Sequence, residues 1–362
     1  MQNKKIYKIL ISPLDWGLGH ASRCIPLIQL LLDNNFEVIV ASSESPKKII
    51  QDEFPNIEYI EFPCVTIRYS EKIPAFLKIS MQIPKFLYGI LLERIYIRKI
   101  IKEKNINLII SDNRYGFFSK KIPSIFITHQ LAIKLPKILS FFEKSLYYLH
   151  KKIISKFDKI FIPDNAGEDN ASGDLSHRFP KPENAVFIGI LSRFKQTRQE
   201  NHKYDILAII SGPEPSRTIF EKKITARISK TQLKAVISGG IPQKNICYEK
   251  DNIKYFSHLK TSEMQEVLNA SKTIICRSGY SSVMDILRMK KKAIIFPTKG
   301  QTEQEYLARY LNNKHGFISQ NIENSNIPGG ISELETRTPD YKNFILEEDI
   351  ILKTIIDLLN KK

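Results

Sequence analysis

The sequence predicts an α/β chain of two doubly wound domains, and three observations lead there. Short apolar runs of strand length alternate with helical patterns, as at residues 5–11, 37–41, 108–111 and 273–276, the alternation that builds a parallel sheet covered by helices. Polar and small residues collect just after several of these runs, at the edge where such sheets bind ligands. The length, 362 residues, suits about two domains, each able to bury a core.

The first domain is expected over residues 1–192. Its opening strand, 5–11, runs into a loop containing Asp15, Gly17, Gly19 and His20, then a helix with Ile25, Leu27, Ile28, Leu31 and Leu32 on one face. Gly17 and Gly19 just before a helix resemble the start of a nucleotide-binding unit, but the third glycine of G-x-G-x-x-G falls at Ser22, so this is not the dinucleotide fingerprint. Strand 108–111 delivers Asp112, Asn113 and Arg114, and strand 124–128 delivers His129 and Gln130. If both lie parallel to the first strand, these clusters converge on the edge that holds His20; the plain alternative is that Asp112 and Asn113 only make a turn. Residues 160–163 form another strand, 164–181 a polar surface loop, and 185–190 the last strand. The polar, basic stretch 193–203 is the expected linker.

The second domain is expected over 204–342. Strand 204–211 runs into Gly212, two prolines, Ser216 and Arg217; Ser216 is a good N-cap for the following helix, and Arg217 supplies positive charge. Strands follow at 235–238 and 253–256. Residues 273–311 then hold two consecutive β-to-α units. In the first, Arg277, Ser278 and Gly279 make a small-residue turn at a helix N-terminus, where free N–H groups and the helix dipole favour an anion such as a diphosphate. Asp285, one turn further in, suits the two hydroxyls of a ribose, or forms a capping box with Ser282. In the second, Gln301, Glu303, Gln304 and Glu305 crowd the loop, an acceptor and donor set suited to sugar hydroxyls, unless they are simply solvated. Residues 343–362 pattern as a closing helix.

Composition sets the class. Hydrophobic content of 42% and charged content of 26% are those of a globular chain. No apolar run nears the roughly 18 residues of a membrane span, and the N-terminus lacks a signal-peptide core, so a cytoplasmic location is expected. The four cysteines, Cys24, Cys64, Cys247 and Cys276, show no C-x-x-C spacing and are expected as reduced, buried thiols rather than disulfides or a zinc site. No D-x-D pair occurs, so no metal and no cofactor is called for. The net charge of +17 fits an anionic ligand, a membrane surface or nucleic acid. Much of it sits in residues 77–104 and 134–159, each with seven Lys or Arg against two acids and interleaved with Ile, Leu, Phe and Tyr. Such helices lie on anionic bilayers or are ordinary solvated faces.

The R-S-G turn at 277–279, Asp285 and the 301–305 loop together resemble the donor half of GT-B glycosyltransferases, specifically the MurG-like (family 28) and UDP-glucuronosyltransferase-like group. The G-x-G-H stretch ending in His20 resembles that group's acceptor-side loop. The resemblance implies two Rossmann-like domains facing a central cleft, with the closing helix crossing back to the first domain. It puts Gly212, Ser216, Arg217, Arg277, Ser278 and Gly279 near the donor phosphates, Asp285 at the ribose, and Gln304 with Glu303 or Glu305 at the sugar. It puts Gly17, Gly19, Asn113, Arg114, His129 and Gln130 on the acceptor side. A neutral His20 would be the base, with Asp112 or Asp15 orienting it or acting in its place. The implied activity is inverting, metal-independent transfer of a sugar from a nucleotide-diphosphate donor, UDP-linked by analogy, to a hydroxyl acceptor. The basic segments make a lipid-linked acceptor on the inner face of a membrane attractive. A sugar-nucleotide 2-epimerase on the same fold competes with this reading. So does a non-catalytic protein binding nucleic acid or anionic membrane, although no nucleic-acid-binding module is recognisable.

Overall fold

The computed structural model describes residues 6–63, 78, 80–196, 202–339, 341 and 344–361. Cys64, the start of the first basic segment, the middle of the expected linker and the ends of the closing segment lie outside the described residues.

Two seven-stranded sheets organise the chain. The first contains β1 (Lys8–Pro13), β2 (Glu37–Ser42), β3 (Glu58–Glu61), β4 (Leu108–Asp112), β5 (Ser124–Ile127), β6 (Lys159–Ile162) and β7 (Ala185–Phe187). They lie in the order β3-β2-β1-β4-β5-β6-β7 and pair in parallel. The second contains β8 (Tyr204–Ile209), β9 (Ala235–Ser238), β10 (Cys247–Lys250), β11 (Ile253–Phe256), β12 (Ser271–Arg277), β13 (Lys292–Phe296) and β14 (Phe317–Ser319). Their order is β10-β11-β9-β8-β12-β13-β14, parallel except for the antiparallel edge pair β10 and β11. Central strands such as KAIIF and LIISD are apolar and buried on both faces, as a sheet sandwiched by helices requires.

Each sheet reverses its strand order once, between β1 and β4 and between β8 and β12. Such switch points open a crevice at the C-terminal ends of the strands. The turns after β1, β4, β8 and β12 are the ones that carry His20, Asp112, Gly212 and Arg277. Sequence patterning therefore placed these residues beside the two crevices.

The edge strands β3, β10 and β14 are absent from the sequence reading. They are three or four residues long, and EYIE and CYEK are polar enough to hide in a loop pattern. The loop at 164–181 is not wholly a surface loop. Asp164 is fully buried and accepts bonds from the backbone N–H groups of Ala171 (2.8 Å) and Ser172 (2.9 Å), folding Asn170–Ser172 inward. The last strand stops at Phe187. Gly189, at φ 67°, lets the backbone approach Ile345 so closely that a Cβ would sit 1.8 Å from its carbonyl oxygen. There Gly189 bridges Leu346, and Ile190 N–H bonds Ile345 C=O at 3.0 Å. The closing segment thus returns to the first sheet before its helix, Glu348–Asn360, buries Ile351 and Ile355 in a core shared by both halves. Cys24 and Cys276 are buried, but Cys247 is exposed on the edge strand, against the expectation of a buried thiol.

Candidate active site

Gly17, at φ 108°, turns the chain out of β1 into helix α1 (Leu18–Asp33). His20 lies in its first turn, and Arg23 follows three residues later on the same face. Next to β1, β4 ends on Asp112, which is wholly buried. The carboxylate takes His20 Nδ1–H on Oδ2 at 2.9 Å and Arg23 Nε–H on the same oxygen at 2.9 Å, while Arg23 Nη2 donates to Oδ1. Burial alone would raise the Asp112 pKa, but Arg23 and His20 outweigh it and hold it at about 2. Burial also lowers the His20 pKa, with Arg23 adding to the effect against the attraction of Asp112. The imidazole is therefore neutral near pH 7. Its Nδ1 carries the proton and Nε2 is a free acceptor with no bonding partner among the described residues.

The network continues across both halves. Arg23 Nη1 lies 3.2 Å from His129 Nδ1, and His129 Nε2 lies 2.9 Å from Glu303 Oε1. A guanidinium can only donate, so His129 Nδ1 is the acceptor and Nε2 holds the proton given to Glu303. Glu303 belongs to the second half, in the first turn of Thr302–Leu311. Burial would raise its pKa, yet His129, His20 and Arg23 hold it below the ordinary glutamate range. Tyr280, also from the second half, stacks on the His129 ring at 4.2 Å with 3° between planes and bonds Pro163 C=O at 2.8 Å.

Tyr280 opens helix α8 (Tyr280–Met289), for which Gly279 is the N-cap. A Cβ on Gly279 would meet nothing within 4 Å, so the first turn faces open space. The N-terminus of α1 stands close by: Ser281 Oγ donates to Gly19 C=O at 3.0 Å, and a Cβ on Gly19 would lie 2.8 Å from that hydroxyl. Arg277 beneath the turn is 6% exposed. It donates to Pro297 C=O at 3.2 Å and to Ser216 Oγ at 3.2 Å and stacks on Phe220. Among the described residues it meets no carboxylate, and its Nε–H has no partner. Desolvation pulls its pKa down to about 10, so it stays charged at neutral pH. A buried cation without a counter-ion is costly unless a ligand brings the anion. Asp285, on the same helix, accepts from Ser192 Oγ at 2.7 Å; burial raises it to about 6 against the pull of Arg193 and that bond.

Other expected site residues have different duties. Asp15 accepts from Ser43 Oγ and makes no bond to His20, whose carboxylate partner is Asp112. Arg114 is buried, ion-paired to Glu93 at 3.0 Å and bonded to Pro63 C=O at 2.6 Å; it braces the loop rather than facing an acceptor. Arg217 is spent on Glu214 (2.6 Å), Glu221 (2.5 Å) and Gly239 C=O (2.9 Å), which leaves little charge for a phosphate. Ser216 is the first residue of its helix (Ser216–Ile228), with Pro215 at the cap, and Glu214 accepts the Thr218 N–H instead. No capping box joins Ser282 and Asp285, because the helix begins at Tyr280. Ser278 Oγ donates to Gln304 C=O, Gln304 braces Thr298 N–H and Gln301, and Glu305 accepts Gly300 N–H, so these side chains shape their own loop. Gly212 borders open space at φ 112°, Asn113 sits at φ 57°, and Gln130 is half-buried at the end of β5. Arg23 and Tyr280 escaped the sequence reading. The available signal was an arginine three residues after His20, on an otherwise apolar helix face.

Comparison with known proteins bears on the fold and on the second half of the chain. Residues 221–336 match the glycosyltransferase family 28 C-terminal domain. An uncharacterized glycosyltransferase of Methanosarcina acetivorans is 24% identical over 332 residues, covering 82% of this chain and 81% of the relative. Among solved structures, the glycotransferase of kitacinnamycin superposes with a TM-score of 0.62 at 12% identity, over 99% of this chain and 94% of that one. The glycosyltransferase VinC, solved in complex with dTDP, superposes with a TM-score of 0.59 at 8% identity, over 98% and 100%. The chain therefore has the GT-B fold of two Rossmann-like domains, and its residues 221–336 match the C-terminal domain of glycosyltransferase family 28.

Proposed function

We propose that the protein moves a sugar from a nucleoside diphosphate sugar to a hydroxyl of a lipid-linked or membrane-borne acceptor, with inversion and without a metal. The observation that carries this reading is the His20–Asp112 pair at the N-terminus of α1, its Nε2 open, standing against the N-terminus of α8. His20 Nε2 takes the proton of the acceptor hydroxyl as the oxygen attacks the anomeric carbon. The bond from that carbon to the diphosphate oxygen breaks, and its electron pair leaves with the diphosphate. The free N–H groups at Gly279–Ser282 and the unpaired Arg277 receive that charge. Asp285 suits the ribose. Docking on two domains lets closure align the reactants and exclude water.

The membrane part of the proposal is supported by the helix α3 (Ile83–Lys104), whose Leu87, Leu91 and Ile95 are each more than half exposed. The 3₁₀ turn Lys137–Phe142 adds Ile138 at 85% and Phe141 at 70% exposure. Apolar surface of this extent rimmed by lysine suits an anionic bilayer. Among the described residues no helix is long and apolar enough to cross a membrane.

The test is a nucleotide screen by thermal shift with UDP, dTDP and GDP, followed by nucleotide release from the matching sugar donors with and without a membrane lipid extract. Acceptor-dependent release that falls in His20→Ala by about 10²–10⁴-fold, the usual worth of a general base, with the nucleotide thermal shift kept, supports the reading. Release of nucleotide with an epimerised sugar and no acceptor would establish the epimerase instead.

A further inference from the structure

We propose that Glu303 is a positioning residue for the base rather than a ligand of the donor sugar: from the second domain it locks His129, and through Arg23 and Asp112 it fixes where His20 points. The inference rests on the proposed role of His20. It departs from what the family likeness implies for this loop, and the geometry favours the departure.

Every bond in the chain from Glu303 to His20 has one permitted direction. Glu303 accepts from His129 Nε2, His129 Nδ1 accepts from Arg23, and Arg23 grips both oxygens of Asp112, which holds His20 Nδ1–H. A proton on His129 Nδ1 would set donor against donor at Arg23, and a His20 Nδ1 without its proton would set acceptor against acceptor at Asp112. Without Glu303 the His129 N–H loses its acceptor, the ring is free to turn over, and Arg23 loses the third of its anchors. The second domain holds His129 twice, by Glu303 at one ring nitrogen and by Tyr280 stacked on the ring face. Both residues open the two helices that flank the donor crevice. The base is thus aligned by the domain that carries the donor. The neighbouring side chains of the loop, Gln301, Gln304 and Glu305, bond within 298–305, whereas Glu303 reaches across to His129 and Thr302 Oγ1 donates to Lys134 C=O at 2.7 Å. Charge points the same way. Asp112 balances Arg23 at once, so the carboxylate of Glu303 is left to favour a proton on His20 as the reaction forms imidazolium.

The experiment compares wild type, Glu303→Gln and Glu303→Ala by histidine side-chain NMR across pH, and by calorimetry with UDP and with UDP-glucose. None of these measurements needs turnover, so failure of the transfer reading leaves them interpretable. Positioning predicts that His20 titrates at lower pH in both variants, because a nearby negative charge is gone. It also predicts that the fixed Nε2–H form of His129 persists in Glu303→Gln, whose amide oxygen still accepts, and is lost in Glu303→Ala. Affinity for both nucleotides should stay within about twofold. An unchanged His20 titration in the folded Glu303→Gln protein overturns the proposal. So does a loss of about tenfold in UDP-glucose affinity with UDP affinity intact, which would make Glu303 a sugar ligand.

Discussion

Replacing Asp112 by Asn changes one atom and sets three donors against a group that can accept at only one of its two ends. Oδ2 receives both His20 Nδ1–H and Arg23 Nε–H at 2.9 Å, and Oδ1 receives Arg23 Nη2. The amide NH₂ does least harm in place of Oδ1, where it confronts Nη2 and breaks the fork. Arg23, 2% exposed, is then a buried cation without its carboxylate, a situation worth about 3–5 kcal/mol of lost stability. The shift of Asp112 from its ordinary 3.8 to about 2 gives an independent figure of about 2 kcal/mol. The larger number applies to the substitution, which strands the partner charge, while protonation of Asp112 leaves a neutral acid that still fits. The second substitution, Asp112→Asn with Arg23→Met, removes both charges and should restore most of the stability, since a buried pair exchanged for apolar volume is close to neutral. Activity should stay low in both, because His20 has lost the anion that fixes its tautomer. Urea unfolding at pH 7 with nucleotide-release rates checks each arm. A single variant within about 1 kcal/mol of wild type would refute the claim that this pair is a closed, load-sharing unit.

The pH dependence of the two aspartates runs in opposite senses. Asp112, depressed to about 2, contributes stability that is complete above pH 3.8 and disappears as pH falls toward 2, so acid unfolding should shift in Asp112→Asn. Asp285, raised to about 6, is protonated below that value, so its contribution to stability is full below pH 3.8 and is lost as pH rises through 6. If it holds the ribose as a carboxylate, UDP affinity measured by calorimetry should climb between pH 5 and 7, and Asp285→Asn should flatten that climb; a flat wild-type profile removes the acid from the site. Arg277→Met should leave melting within a few degrees while weakening UDP binding by about tenfold to a hundredfold, the worth of one charged hydrogen-bonding group; equal UDP affinity would show that the phosphates lie elsewhere. Gly19→Ala, whose methyl would press on Ser281 Oγ, should hold the two helix N-termini apart and lower turnover more than UDP binding, a split read from steady-state kinetics. Vesicle flotation should increase with anionic lipid and fall when Leu87 and Leu91 become Ser, and indifference to both would end the membrane proposal.

The two-sheet architecture was legible because its strands are short continuous apolar runs with polar punctuation at their ends, and that pattern survives in KILISP, LIISD and SKTIICR. His20 and Asp112 were legible as neighbours for the same reason: both follow strands that a doubly wound sheet brings together. What could not be read is how each polar side chain is spent. Arg114, Arg217 and Arg277 look alike in sequence, yet two are matched by carboxylates of nearby helices and one is not. For Arg217 the partners Glu214 and Glu221 stand at local helical spacing, but for Arg114 the difference depends on Glu93, 21 residues away, and no local pattern announces that. Likewise His129 and Glu303 are separated by 174 positions, and only folding makes them one unit.

The distribution of satisfied and unsatisfied groups separates the two sides of the crevice. On the side of the first sheet every donor from Arg23 to His129 that faces the Asp112 network has its acceptor, so His20 is set in place without any ligand. Around helix α8 the position is reversed: Arg277 keeps an unpartnered Nε–H and no counter-ion, Arg193 keeps an unpartnered Nε–H, and Asp285 is held half-neutral near pH 6. Groups left in that state are costly, and under the proposed function the phosphates and hydroxyls of the donor would relieve them. If the proposed transfer holds, this asymmetry predicts an order of binding: the nucleotide sugar enters first, and the acceptor then meets a His20 whose alignment needs no further change.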